Sequence, residues 1–148
     1  SWTVGLKMGR TSDGYFYVLD VVRFQGTPLE VMRTIRNTAT QDGPNVRVIL
    51  EVEPGGSGKA DAQAQVRNLA GFVVTLDKVK SSKADRAMRV SPQIEQGNLK
   101  LVRAPWNQTF ITELVNFDGL KSMADQVDTC SGACIAMTDA KKVGTWGS

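Results

Sequence analysis

Histidine is absent from all 148 residues, which removes Ser-His-Asp and Cys-His nucleophile systems and every His-ligated zinc site from what this chain can assemble by itself. Any metal must then be held by oxygen. Cysteine is scarce too. Cys130 and Cys134 are the only two, one helical turn apart with no second pair, so reduced thiols facing a core are expected rather than a zinc site or a disulfide framework. Such usage fits a reducing compartment. No apolar run approaches the ~20 residues of a membrane span, and the opening residues carry no signal-peptide pattern. Neither sign of charge dominates: 18 Lys and Arg stand against 15 Asp and Glu, a net of +3. What remains is the composition of an ordinary globular chain, expected to form one domain over residues 1–148.

The mild net charge is unevenly spread. Between Asp77 and Arg103 the basic residues are Lys78, Lys80, Lys83, Arg86, Arg89, Lys100 and Arg103, against Asp77, Asp85 and Glu95. A polyanionic partner and a merely solvated basic face are both compatible with that run.

The stretch from Val46 to Lys59 organises the rest. Val46, Val48, Ile49 and Leu50 suit a strand covered on both faces, and Pro54, Gly55, Gly56 and Gly58 stop it abruptly. In open α/β sheets, sites form beyond the carboxyl ends of strands, which is where Glu51 and Glu53 stand, sharing a face by their spacing of two. The sequence GGSGK hints at a phosphate-binding loop. That motif is incomplete, because Glu53 occupies its first glycine position and Ala60 follows Lys59 where Ser or Thr belongs.

Turn and cap signals give the remaining order. Thr3–Met8 and Tyr15–Val22 predict a hairpin closed by Asp13-Gly14. Thr27-Pro28-Leu29-Glu30 predicts a capped helix with Leu29, Met32, Ile35 and Ala39 as its apolar stripe, ended by Asp42-Gly43-Pro44. Ala60–Ala70 reads as a helix with Ala62, Val66 and Leu69 inward and Gly71 as its stop, followed by a strand over Phe72–Leu76. Lys83–Gln96 reads as a helix broken or kinked at Pro92, ended by Gly97 and followed by a strand over Leu99–Val102. Trp106, Phe110 and Leu114 share one helix face, and Phe117-Asp118-Gly119 separates that helix from a last one over Leu120–Met137. In this last helix Leu120, Met123, Val127, Cys130, Cys134 and Met137 form the inner stripe, while Asp125 and Asp128 lie three residues apart on a neighbouring face. The tail over 139–148 is expected to be loosely held.

Two-metal phosphodiester hydrolysis needs carboxylates converging on ions roughly 3.5–4 Å apart, and Mg²⁺ or Mn²⁺ suits a site built from oxygen alone. Glu51 at a strand end and Asp125 on a helix are the candidates. The plainer alternative is that these are solvated charges at element ends. Lys83, Arg86 and Arg89 follow one helix and could grip phosphates, or simply face water. Trp106 is expected in the core rather than against a base, and the glycosylation sequon at Asn107 is expected to be fortuitous.

Taken together, YFYVLDVVR (15–23), VILEVEPGGSGK (48–59), KADRA (83–87), APWN (104–107), FITELVNF (110–117) and ADQVD (124–128) resemble the C-terminal nuclease domain of tailed-phage and prophage large terminase subunits. The likeness covers nearly the whole chain in the right order. It implies an α/β fold, an RNase H-like mixed sheet flanked by helices that lacks its first strand. It further implies an endonuclease that cuts concatemeric viral DNA during packaging through a two-metal site holding Mg²⁺ or Mn²⁺. The partners implied are double-stranded DNA, the terminase ATPase domain, the small terminase subunit and the portal, in the cytoplasm of a bacterial host and with no membrane.

By the same resemblance Glu51 takes the family's second metal carboxylate and Asp125 the third, with Asp128 as a ligand or a supporting residue. Lys83, Arg86 and Arg89 would contact DNA. Two departures stand out. Met123-Ala124-Asp125 replaces the family's His-Asp-Asp, and the family's first Asp belongs to a strand ahead of Trp2, so weak or absent cutting is expected of this chain alone. The alternative in another class is a non-catalytic DNA- or protein-binding module on the same fold.

Overall fold

The computed structural model describes residues 2–52, 55–78, 81–117 and 125–147, the last nine by backbone only. Along the chain run β1 (Thr3–Arg10), β2 (Phe16–Phe24), α1 (Pro28–Asp42), β3 (Val48–Val52), α2 (Gly56–Asn68), β4 (Val74–Lys78), α3 (Lys83–Glu95), β5 (Leu99–Leu101), α4 (Asn107–Val115) and α5 (Asp125–Gly147). This is the order of strands and helices that the sequence predicts. The architecture is mixed α/β. Its contacts divide into two compact units, one of Ser1–Phe24 with Ser81–Ser148 and the other of Gln25–Lys80.

The first unit holds a mixed three-stranded sheet in the order β1-β2-β5, with β1 and β2 antiparallel and β5 parallel to β2. Gly14 closes the hairpin at φ 94°, a conformation open to glycine without steric cost. The ladder slips at Lys7/Met8, so that Lys7 faces Asp20 while Met8 faces Val18. Strict alternation would send Val21 outward. The extra residue keeps Phe16, Val18 and Val21 all buried, with Leu19 and Asp20 outside.

Against this sheet lie Val90 of α3, Phe110 of α4, and Cys130 and Cys134 of α5, with Trp106, Leu114 and Met137 partly buried at the edge. Trp106 meets Phe110 edge-on at 5.9 Å. It is a core residue, as expected, and so are both cysteines, which are free thiols. Each fully buried side chain of this size contributes about 1.5–3 kcal/mol.

The α3 helix starts on Ser82, whose hydroxyl accepts from the Asp85 amide at 3.1 Å. Of the break or kink expected at Pro92 there is no break: the helix runs through Pro92 and ends in a Schellman turn. There Asn98 N donates to Gln93 O at 2.9 Å and Gly97 N to Ile94 O at 3.0 Å, with Gly97 at φ 75°. The sequon residue Asn107 ties β5 to α4, accepting from Ala104 N and donating to Val102 O. The α5 helix extends to Gly147, past the expected end at Met137. Its expected first turns, with Leu120 and Met123, and the Phe117-Asp118-Gly119 break beyond Phe117, lie outside the described residues.

The second unit is thinner. β3 and β4 pair in parallel, with Leu50 opposite Leu76 and Glu51 opposite Asp77. The expected strand covered on both faces is instead half-buried, with Glu51 exposed. Thr27 caps α1 by accepting from Glu30 N at 3.2 Å, and Gly43 at φ 90° ends it. Of the expected α1 stripe only Ala39 is buried, and Leu29 is 57% exposed. The glycine turn after β3 forms the first turn of α2, which therefore begins at Gly56 rather than Ala60. α1 and α2 are stitched together by Asn68, whose amide donates to Met32 O at 2.9 Å while its carbonyl accepts from Arg36.

Candidate functional site

Two rungs of opposite charge join α3 to α5. Lys83 Nζ lies 3.2 Å from Asp125 Oδ1, with the two side chains 41% and 29% exposed. Three residues further along each helix, Arg86 Nε donates to Asp128 Oδ1 at 2.9 Å, Nη2 donates to the same oxygen, and both side chains are only 9% exposed. The pairs stay in step because residues three apart sit on one helical face. Both helices therefore present their first turns side by side, running the same way.

The inner rung is structural in character. A buried guanidinium and carboxylate must satisfy each other, and Nη1 of Arg86 finds a further acceptor in Ser81 O at 3.1 Å. Arg86 thus points inward, away from the solvent where a phosphate would approach, whereas Arg89 is exposed. Of the three basic residues that the sequence offers for DNA, two are paired with the acids it offers for metal.

The outer rung is different. Asp125 is the first described residue of α5, and its carboxylate lies in the first described turn of that helix. Glu113 of α4 fixes this turn from the side. Its Oε2 accepts from the Val127 amide at 2.7 Å and its Oε1 from the buried Gln126 side chain at 3.1 Å. Glu113 is missing from the sequence-derived candidates. Its signal was an acid three residues after Phe110, on the inner face of α4, but spacing alone could not say what it meets.

Glu51 belongs to the second unit. With Ser57, Gly58, Asp61 and Gln65 it lines an open cavity of about 350 Å³ at the start of α2. Asp61 and Asp77 are thus the acids that the fold brings near Glu51, one across the cavity and one across the ladder. Neither was a sequence candidate, since one sits mid-helix and the other in a basic run. Glu53, Met123 and Ala124 lie outside the described residues.

Asp125 suits a divalent ion in offering hard oxygen and being partly open to solvent, while the Lys83 ammonium at 3.2 Å opposes one. Asp128 fits poorly, because its buried Oδ1 already takes two guanidinium donors. Among the described residues no cluster of three or more His, Cys, Asp or Glu side chains could hold a metal ion, and no helix among them is long and apolar enough to cross a membrane.

No curated protein matches the chain, and no solved structure does. The family model of the terminase RNaseH-like domain, however, matches residues 1–136. With that match and its mixed α/β architecture, this chain belongs to the terminase RNaseH-like domain family, a nuclease-type domain.

Proposed function

We propose that the chain is the DNA-cutting part of a large terminase subunit, a metal-dependent endonuclease that cleaves concatemeric viral DNA during packaging. Asp125 and Glu51 are its metal-holding carboxylates. The observation that carries this reading is Asp125 itself: the Glu113 carboxylate holds the amide two residues after it, and its own carboxylate stays partly open to solvent. Mg²⁺ or Mn²⁺ held there would make a water easier to deprotonate and offset charge on the leaving 3′ oxygen.

The residues of the chain divide the remaining work. Glu113 orients the helix start that carries Asp125. Asp128 and Arg86 lock α3 to α5, so Asp128 acts as a support rather than a ligand. Lys83 and Arg89 bind the phosphodiester backbone with little sequence readout. The ATPase domain, the small terminase subunit and the portal are the partners of this reading, in the cytoplasm of a bacterial host.

The test is cleavage of supercoiled plasmid with Mn²⁺, run on this chain and on a form extended upstream by the strand that the resemblance expects. Cutting that disappears in both Glu51→Ala and Asp125→Asn supports the reading. Intact DNA binding without cutting by the extended form would overturn it in favour of a non-catalytic module.

A further inference from the structure

The outer rung of the α3–α5 ladder does more than hold two helices together. Lys83 occupies the first position of α3, after the Ser82 cap. A cation is disfavoured there by the helix dipole, and Asp85 in the same turn shows the charge such a position prefers. The stability of α3 therefore does not account for Lys83. The Arg86–Asp128 rung already fixes the two helices from the buried side. What Lys83 does satisfy is Asp125, at 3.2 Å, through a pair open enough to water to exchange partners.

We propose that Lys83 is an exchange cation: it neutralises Asp125 until a divalent ion takes that carboxylate, and then turns to a DNA phosphate, so that metal and DNA binding reinforce each other. This rests on Asp125 as a metal-holding residue. The physical argument is charge balance. An ammonium beside the carboxylate repels an incoming divalent ion, and once displaced it needs another anion. A phosphate arriving beside Lys83 at the start of α3 supplies one. Because coupling between binding sites is reciprocal, a ligand that frees Lys83 for phosphate is itself bound more tightly when phosphate is present. Arg86 cannot take this part, since its guanidinium is buried and committed.

Two measurements test it, neither of them an activity. The first is Mn²⁺ affinity, followed by the electron paramagnetic resonance of free Mn²⁺, for the upstream-extended form of the chain and its Lys83→Met, Lys83→Arg and Asp125→Asn variants. Lys83→Met is expected to tighten Mn²⁺ binding by about two- to fivefold, the range of a partly exposed ion pair, while Lys83→Arg stays near wild type. If Lys83 merely props up Asp125, Lys83→Met would loosen binding, and that sign overturns the proposal; so does an unchanged affinity.

The second is anisotropy of a short fluorescent duplex, checked intact on a gel. In Mn²⁺, Lys83→Met should weaken binding and lower the salt slope by about one unit; in chelator, where Lys83 is engaged by Asp125, it should change little. Equal losses in both conditions would make Lys83 a fixed DNA contact and overturn the exchange. Mn²⁺ binding that is missing, or indifferent to Asp125→Asn, would instead sink the metal role of Asp125, a failure distinct from that of Lys83.

Discussion

The two units spend their residues differently. The first gathers its core from both ends of the sequence, and its buried set includes Phe16, Val18, Val21, Val90, Phe110, Val127 and both cysteines, as well as an internal ion pair. The second is one continuous stretch, and its buried apolar residues among those described are Ala39, Ala62 and Leu69. Leu29, Val66, Val73 and Leu76 there remain exposed. Two alanines and a leucine bury little apolar surface, so the second unit relies more on local devices: the Thr27 cap, the Asn68 stitches and its glycine stops. Each unit carries one of the two acids proposed to hold metal. Asp125 stands on the better-packed unit and Glu51 on the thinner one, so Glu51 is expected to experience larger local opening.

The comparison breaks most sharply at Arg86. Replacing it with Ala strands a buried Asp128 carboxylate and should cost about 3–5 kcal/mol, whereas converting both partners to well-packed apolar residues should restore most of that loss. Urea unfolding of the single and paired variants measures it. A loss below about 1 kcal/mol, the level of a surface pair, would mean that the rung is wet and the contrast with Lys83–Asp125 is false.

Leu69→Ala sharpens the contrast from the other side. It should cost about 2–4 kcal/mol by emptying most of the thin core. Its mark should be faster amide hydrogen exchange over residues 25–80 before residues 81–117 respond. Uniform acceleration across both stretches would show that the units open as one.

Glu113→Ala carries the smallest effect, about 1–2 kcal/mol for a charged acceptor lost at a helix start. Its mark should be local, with the Val127 amide losing protection first. Loss of Mn²⁺ affinity in Glu113→Ala, partly recovered in Glu113→Gln, would tie the tether to the function of Asp125.

The cysteines illustrate what burial does to reactivity. Their shared hydrogen bond, together with desolvation, pushes the Cys130 thiol well up, while that bond draws Cys134 down from the usual thiol range. Both side chains are nonetheless almost fully covered. Spacing one turn apart on an apolar stripe was enough to read them as core residues from the sequence.

Other parts of the site were legible to different depths. The Thr27 position, Gly14, Gly43 and Gly97 act through bonds a few residues away, and the element order follows from them, whereas the Ser82 cap was found only in the structure. The bulge in β2 was not legible, because period-two patterning does not register an inserted residue until the partner strand is in place. The start of α2 was misplaced for a related reason: glycines that would break a helix in its interior are tolerated in its first turn, where the amides have no helical partner.

Sequence by itself settled the exclusion of histidine chemistry, the order of strands and helices, the inward cysteines, and a family pattern whose motifs follow one another along the chain. Tertiary structure alone decided which charges meet. Lys83 and Arg86 find Asp125 and Asp128 42 residues away, and nothing in either segment distinguishes the pair that water screens from the pair that the core encloses. That difference depends on how much low-dielectric protein surrounds each rung. Such burial is a property of packed helices, and spacing along a chain does not carry it.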